Sequence, residues 1–225
     1  MDEQSLALSF CNSLTEEVSG IAGEYAELGL DALVEDGLFK DIPIVSTAVA
    51  VYRIGKSIRE KHHIAKLISF LNEINNGIAD EEKREEYREK FTSNENFRNQ
   101  ELEYILILTD RYVGFDKPQM LAKLYLSYLD GKIKWEEFTQ YAEVLDRLLP
   151  GDIYLGKDGF KYARNKSDSQ QRLAALGLLQ GTVPNPKVDN GALSFSSSGL
   201  NYELTKFGRV LIDILNPNQF RKWLI

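Results

Sequence analysis

A single cysteine, Cys11, stands in 225 residues, so the chain closes no internal disulfide and its fold does not rest on covalent staples. Its two histidines, His62 and His63, are adjacent, which leaves no spaced set of nitrogen and sulfur ligands for zinc. The glycines form neither a G-x-x-x-x-G-K-[ST] phosphate loop nor a G-x-G-x-x-G turn, and no serine sits in a G-x-S-x-G elbow. Repeats and low-complexity tracts are absent. The uncharged run Ile42–Tyr52 would be about 16 Å long as a helix, roughly half of what a bilayer core demands. The start, MDEQSLALSF, is acidic where a secretory signal would be basic. These absences set the expectation of a cytoplasmic, non-enzymatic protein without a cofactor or metal.

What is present is charge, unevenly placed. Residues 1–41 hold ten acids and one base, residues 42–76 hold five bases and two acids, and the whole chain carries −7. An acidic first segment beside a basic second one gives the basic face an internal partner, which weakens its reading as a membrane or nucleic-acid surface.

Leu14, Val18, Ile21, Tyr25, Leu28 and Ala32 recur at alternating steps of four and three. That predicts a helix over about 6–36 with a lengthwise seam suited to another helix or a second copy. Asp41 as cap and Pro43 in a first turn start a second helix, which runs to Ile74 before Asn75-Asn76-Gly77. The two form an antiparallel hairpin. Four further helices are expected: the charged run Asp80–Lys90, Ser93–Val113, Asp116–Leu129 and Trp135–Leu149. The buried face of the second of these is read as Phe97, Leu102, Ile105, Leu106 and Leu108. His62 and His63 are read as a surface pair. Asp130-Gly131-Lys132-Ile133-Lys134-Trp135-Glu136-Glu137 has the spacing of the back half of a calcium loop, but Leu126 and Tyr128 stand where the first oxygens belong, so it reads as a helical corner. Glu16-Glu17, Glu81-Glu82 and Glu136-Glu137 lie on polar helix faces with no nucleophile near them in sequence.

After Gly151 the texture changes. Asp152–Leu155 and Phe160–Ala163 flank Asp158-Gly159 as a hairpin, a helix runs from Ser169 to Leu179, and Ala192–Ser197 with Leu200–Leu204 flank Ser198-Gly199 as a second hairpin. Thr205 caps a closing helix, Lys206–Leu215. Helix, two-stranded wing and helix make a winged-helix-like layout. The fold expected is therefore mainly α, with a multi-helix domain over 1–150 and a small α+β winged-helix-like domain over 151–225.

Two surfaces are candidate sites. The first is the tip of the helical hairpin, Ile44, Val45, Ala48, Val49 and Tyr52 followed by Arg53, Lys56 and Arg59. It is apolar nearly all round and then basic, which suits either a helix buried on every side or a segment released onto a membrane or partner. The second is the C-terminal module, where Gln170, Gln171 and Arg172 would reach a DNA groove and Lys187, Lys206 and Arg209 would touch phosphates. A net +3 over 166–225, from seven bases and four acids, is thin for nucleic acid and favours a wing used for protein contact.

The segment YELTKFGRVLIDIL at Tyr202–Leu215 resembles the closing strand and helix of winged-helix-like domains in bacterial proteins, including the abortive infection alpha group. LFKDIPIVSTAVAVYRIGKSIREKHHIAKLISFLNEI, KPQMLAKLYLSYLDGKIKWEEF and LDRLLPGD resemble a widespread group of bacterial helical proteins. The resemblance implies a bacterial cytoplasmic protein connected with phage defence, and it transfers no catalytic residue. Read with the hairpin's pattern, the expectation is a non-enzymatic defence or stress-related protein that acts through its helical hairpin on a protein partner or at the inner face of the membrane. The alternative is a DNA-binding regulator that uses the C-terminal module.

Overall fold

A computed structural model describes residues 6–14, 42–52, 58–114, 116–149, 152, 167–183, 187–189, 192–194 and 201–215. The chain is mainly α, and it divides into two units, Met1–Asp146 and Arg147–Ile225.

In the first unit the described helices are α1 (Leu6–Asn12), α2 (Pro43–Tyr52), α3 (Ile58–Gly77), α4 (Glu81–Ser93), α5 (Glu95–Arg111), α6 (Asp116–Leu129) and α7 (Trp135–Arg147). α3 packs along α6, because Ile64, Leu67, Ile68, Leu71 and Ile74 on one and Leu121, Leu124 and Tyr125 on the other form matching apolar stripes, all buried. α1 lies against α2, α4 and α5. At the centre is Tyr125, fully buried, whose ring lies 5.6 Å from that of Phe138, 6.2 Å from Phe10, 6.3 Å from Phe70 and 6.4 Å from Phe91. Such rings bury large areas and prefer these tilted and edge-on geometries.

α1 is held by polar ties as well. Ser9 Oγ and Thr47 Oγ1 share a 2.7 Å hydrogen bond, and Ile44 N donates to Ser13 Oγ at 3.0 Å. The Arg84 guanidinium donates to Leu14 O and, at 3.0 Å, to Asn75 Oδ1, while Asn75 Nδ2 donates to Ser13 O at 3.3 Å. Arg84 Nε lies 3.2 Å from Glu81 Oε2 without hydrogen-bond alignment.

The expected helix over 6–36 is seen as Leu6–Asn12 followed by a turn at Ser13-Leu14; the seam beyond Leu14 lies outside the described residues. The expected helix 43–74 is described as two stretches, α2 and α3, with 53–57 outside. The charged run forms α4, capped by Asp80, whose carboxylate accepts from Lys83 N at 2.9 Å, and it turns Tyr87 and Phe91 into the core. Phe97 departs from expectation. It is 37% exposed in the first turn of α5, while Leu102, Ile105, Leu106 and Leu108 are buried as expected.

The second unit has α8 (Ser167–Ala175), strands β1 (Leu179–Thr182), β2 (Lys187–Asp189), β3 (Ala192–Ser194) and β4 (Asn201–Leu204), and α9 (Lys206–Leu215). β1 pairs antiparallel with β4, from Leu179↔Leu204 to Thr182↔Asn201, and β2 pairs with β3, from Lys187↔Ser194 to Asp189↔Ala192. This overturns two expectations. The chain leaves α8 at Ala175, because Gly177 takes a φ of +76° and a double turn closes over it, Gly177 N on Ala174 O and Leu178 N on Leu173 O, both 2.9 Å. Leu179–Thr182 is therefore strand. And the strands on either side of Ser198-Gly199 pair with β1 and β2, not with each other, so the second hairpin expected there is replaced by the β2–β3 pair, whose register closes at Asp189↔Ala192. Of the hairpin expected across Asp158-Gly159, Asp152 alone is described, and it sits in a turn.

α9 starts at Thr205, whose hydroxyl accepts from Gly208 N at 2.9 Å and donates to Gly177 O at 2.7 Å. Gly208 lies so near the corner that a Cβ there would stand 2.2 Å from Leu178 O. Leu173, Leu178, Leu179, Leu211, Ile212 and Leu215 fill this unit's core.

Candidate functional site

Among the described helices none is long and apolar enough to cross a membrane. Of the hairpin-tip residues, Ile44 and Val45 are 1% and 0% exposed, two adjacent positions that both face core. Ala48, Val49 and Tyr52 belong to α2 but their side chains lie outside the described residues, as do Arg53 and Lys56 altogether. Arg59 is exposed and pairs with Asp110 on α5.

Further along α3 the sequence reading needs correction. His63 is buried, because it shares the inward face with Lys66, Leu67 and Phe70. Its Nε2 lies 3.3 Å from Thr109 Oγ1 and its Nδ1 3.8 Å from Asp110 Oδ1. Lys66, 2% exposed, donates to Asp110 O at 2.8 Å and Tyr112 O at 2.6 Å, so its ammonium caps the carbonyl end of α5, where the helix dipole favours a cation. Burial lowers the pKa of both Lys66 and His63, with Asp110 opposing. Threonine, histidine and aspartate in line have the look of a nucleophilic triad. Thr109, however, is fully buried and its hydroxyl donates to Leu106 O at 2.9 Å, which makes the cluster an interhelical joint.

A second buried cluster sits on α5 and α6. Glu101, fully buried, accepts from Arg98 at 2.6 Å, from Tyr125 at 3.3 Å and from Tyr128; Arg98 also reaches Tyr128 OH at 2.9 Å. Burial, reinforced by Glu101, pushes the Tyr128 phenol up to about 12. The carboxylate has a donor on every side, as buried charge requires, and no open direction toward a substrate. The sequence signal for it was Glu101 itself, an acid on the stripe that continues through Ile105 and Leu108.

The Asp130–Phe138 corner closes around Gly131, φ +71°, with Gly131 N on Tyr128 O and Lys132 N on Ser127 O, both 2.9 Å. Glu137 accepts from Lys134 N at 2.8 Å and so caps α7. Asp130 accepts from Tyr87 OH at 2.6 Å and pairs with Lys132 at 2.8 Å and Lys83 at 3.2 Å. Burial would raise its carboxyl pKa, but these donors hold it below the usual value. An open cleft of about 320 Å³ borders it, lined by Gly77, Asp80, Lys83, Glu86 and Tyr87 among others. Its lining sets four carboxylates, Asp80, Glu82, Glu86 and Asp130, against the ammonium of Lys83, which binds Glu86 at 2.7 Å. No group of three or more metal-ligating side chains occurs among the described residues.

In the second unit Arg172 does not point to a ligand. Its guanidinium is bound to Asp152, with Nη2 2.7 Å from Oδ1, and to Ser169 Oγ at 3.1 Å. Asp152, 2% exposed, also accepts from Leu149 N at 3.1 Å, so the arginine serves to fasten α8. Gln170 is half-buried, Gln171 exposed, and Lys206 and Arg209 are exposed on α9; Lys187 lies in β2 with its side chain outside the described residues.

No family model, curated protein or solved structure matches the chain. The geometry is what remains to argue from. Residues 166–225 hold seven bases against four acids, a net +3, and of those bases Arg172 is engaged by Asp152. A duplex-binding surface needs several cations in excess, because each phosphate contact draws on one.

Proposed function

We propose that the protein is a non-enzymatic interaction protein, in which the helical unit is a rigid scaffold and the C-terminal strand-and-helix unit makes contact with a protein partner. The observation that carries this reading is the commitment of Arg172 to Asp152. It removes the base best placed, on the winged-helix-like reading, to enter a DNA groove. The buried ionisable groups of the helical unit support the same reading, because Arg84, Lys66, His63 and Glu101 each face helix backbone or an interhelical partner.

In the finer version α8 is the helix that precedes a wing formed by β1 to β4. A role in bacterial defence follows from the resemblance of Tyr202–Leu215 and the helical segments to abortive infection proteins. The burial of Ile44 and Val45 favours a hairpin tip that is core over one that is released onto a membrane.

The test places a photo-crosslinking residue at Val183, 76% exposed at the end of β1, in the protein expressed in its own host. Protein adducts that disappear when the crosslinker is moved to the buried Leu211 are expected. Fluorescence anisotropy with a duplex at low salt is the counter-test: salt-sensitive binding lost in the double variant Lys206→Glu, Arg209→Glu would replace this proposal with the DNA-binding regulator.

A further inference from the structure

The joint between α3 and the last turn of α5 holds an unusual concentration of positive charge. From α3 come Arg59, His63 and Lys66; from α5 come Thr109, the backbone carbonyls of Asp110 and Tyr112, and a single carboxylate, that of Asp110. That carboxylate is shared, with Oδ2 on Arg59 and Oδ1 3.8 Å from His63 Nδ1. Lys66 is fixed by two carbonyls and cannot turn away. A proton on His63 would thus put a third cation, with the imidazole buried, around one acid that is already engaged.

We infer that this joint is an acid-sensitive latch: protonation of His63 loosens the first turns of α3 from the end of α5 while the aromatic core around Tyr125 stays closed. The direction follows from linkage. Burial sets the folded pKa of His63 below its ordinary 6.5, against the pull of Asp110 and a backbone hydrogen bond to Leu106, and with the push of Lys66 and Arg59. The neutral imidazole is therefore the stabilising form. Its contribution is complete above about 6.5 and declines as pH falls below that value, because the unfolded or opened chain then takes up the proton more readily.

Hydrogen exchange of the full chain, followed by mass spectrometry from pH 7.5 to 5.0 and corrected for intrinsic rates, reads this directly. Peptides covering 58–70 and 106–112 should lose protection as the pH drops, while peptides covering 86–92 and 121–129 keep theirs. His63→Gln should remove the pH dependence. Should that variant not fold, Asp110→Asn decides: it deprives the imidazolium of its one carboxylate and should enlarge the acid-dependent loss at 58–70. Uniform protection across the pH range in the wild type, an unchanged pH dependence in a folded His63→Gln, or an unchanged or smaller loss in Asp110→Asn each overturns the latch.

Discussion

Single side chains in this protein carry consequences out of proportion to their number. Glu101 is a buried carboxylate that three donors require, so replacing it strands Arg98 and two phenols in the core. Glu101→Leu should cost about 3–5 kcal/mol, the range for breaking one side of a buried ion pair, measured as a shift in urea midpoint at unchanged slope. A loss below about 1 kcal/mol would mean that the hydrogen bonds contribute no more than surface ones do. Cys11 stands at the other extreme. It is 4% exposed and burial pushes its thiol up to about 11, so a disulfide reagent at pH 8 should modify it at the rate of unfolding and no faster. Rapid labelling of native protein would show that α1 opens on its own. Neither residue announced this role in the sequence. Glu101 differs from the acids of α4 in its place on the helical stripe, and His63 from His62 in the same way, so periodicity carried the information and residue type concealed it.

Among elements, legibility followed length and pattern. α6 spans Asp116–Leu129 as the sequence reading has it, and α7 starts at Trp135, because strong apolar spacing, an acid in the first turn and a glycine corner all agree there. The second unit resisted. Its strands are three or four residues long, too short for alternation to show, and its register depends on partners up to twenty-five residues away in Leu179↔Leu204. Gly177 and Asn190-Gly191 were the local signals that could have placed β1 and the β2–β3 pair. Two substitutions test how these elements are held. Gly208→Ala drives a methyl group into the Leu178 carbonyl and should destabilise the second unit by about 2–3 kcal/mol, seen as lost exchange protection over 173–182 and 201–215. Retained protection there would mean that α9 can move away at little cost. Val45→Asp buries a carboxylate without a donor and should cost about 3–5 kcal/mol in thermal or urea unfolding. An unchanged midpoint would return the hairpin tip to the surface and revive the membrane reading.

For the whole molecule, the ionisable groups bracket a range of pH. The carboxyls of Asp110, Asp130 and Asp152 lie below their ordinary 3.8, each against a burial effect that their cationic and hydrogen-bonding partners outweigh. Their stabilisation is complete above 3.8 and lost as pH falls through the lower folded values. The phenols of Tyr104, Tyr128 and Tyr141 are pushed up by burial to about 12, so the folded state holds their protons, and stability declines as pH rises from 10 toward 12. Melting temperature should therefore fall below about pH 4 and above about pH 10, and tyrosinate absorbance at alkaline pH should rise together with unfolding. Early tyrosinate formation in folded protein would show these phenols to be open to solvent. One further consequence lies in the order in which the chain is made. Phe10 belongs to a seven-residue helix that is far too short to persist alone, and its ring neighbours include Phe91 and Tyr125. A ribosome adding ~5–20 residues per second reaches Tyr125 about 6–23 s after Phe10. Throughout that interval Leu6–Leu14 has no native partner from α6, so a chaperone that binds nascent chains has an opportunity there before the core around Tyr125 can close.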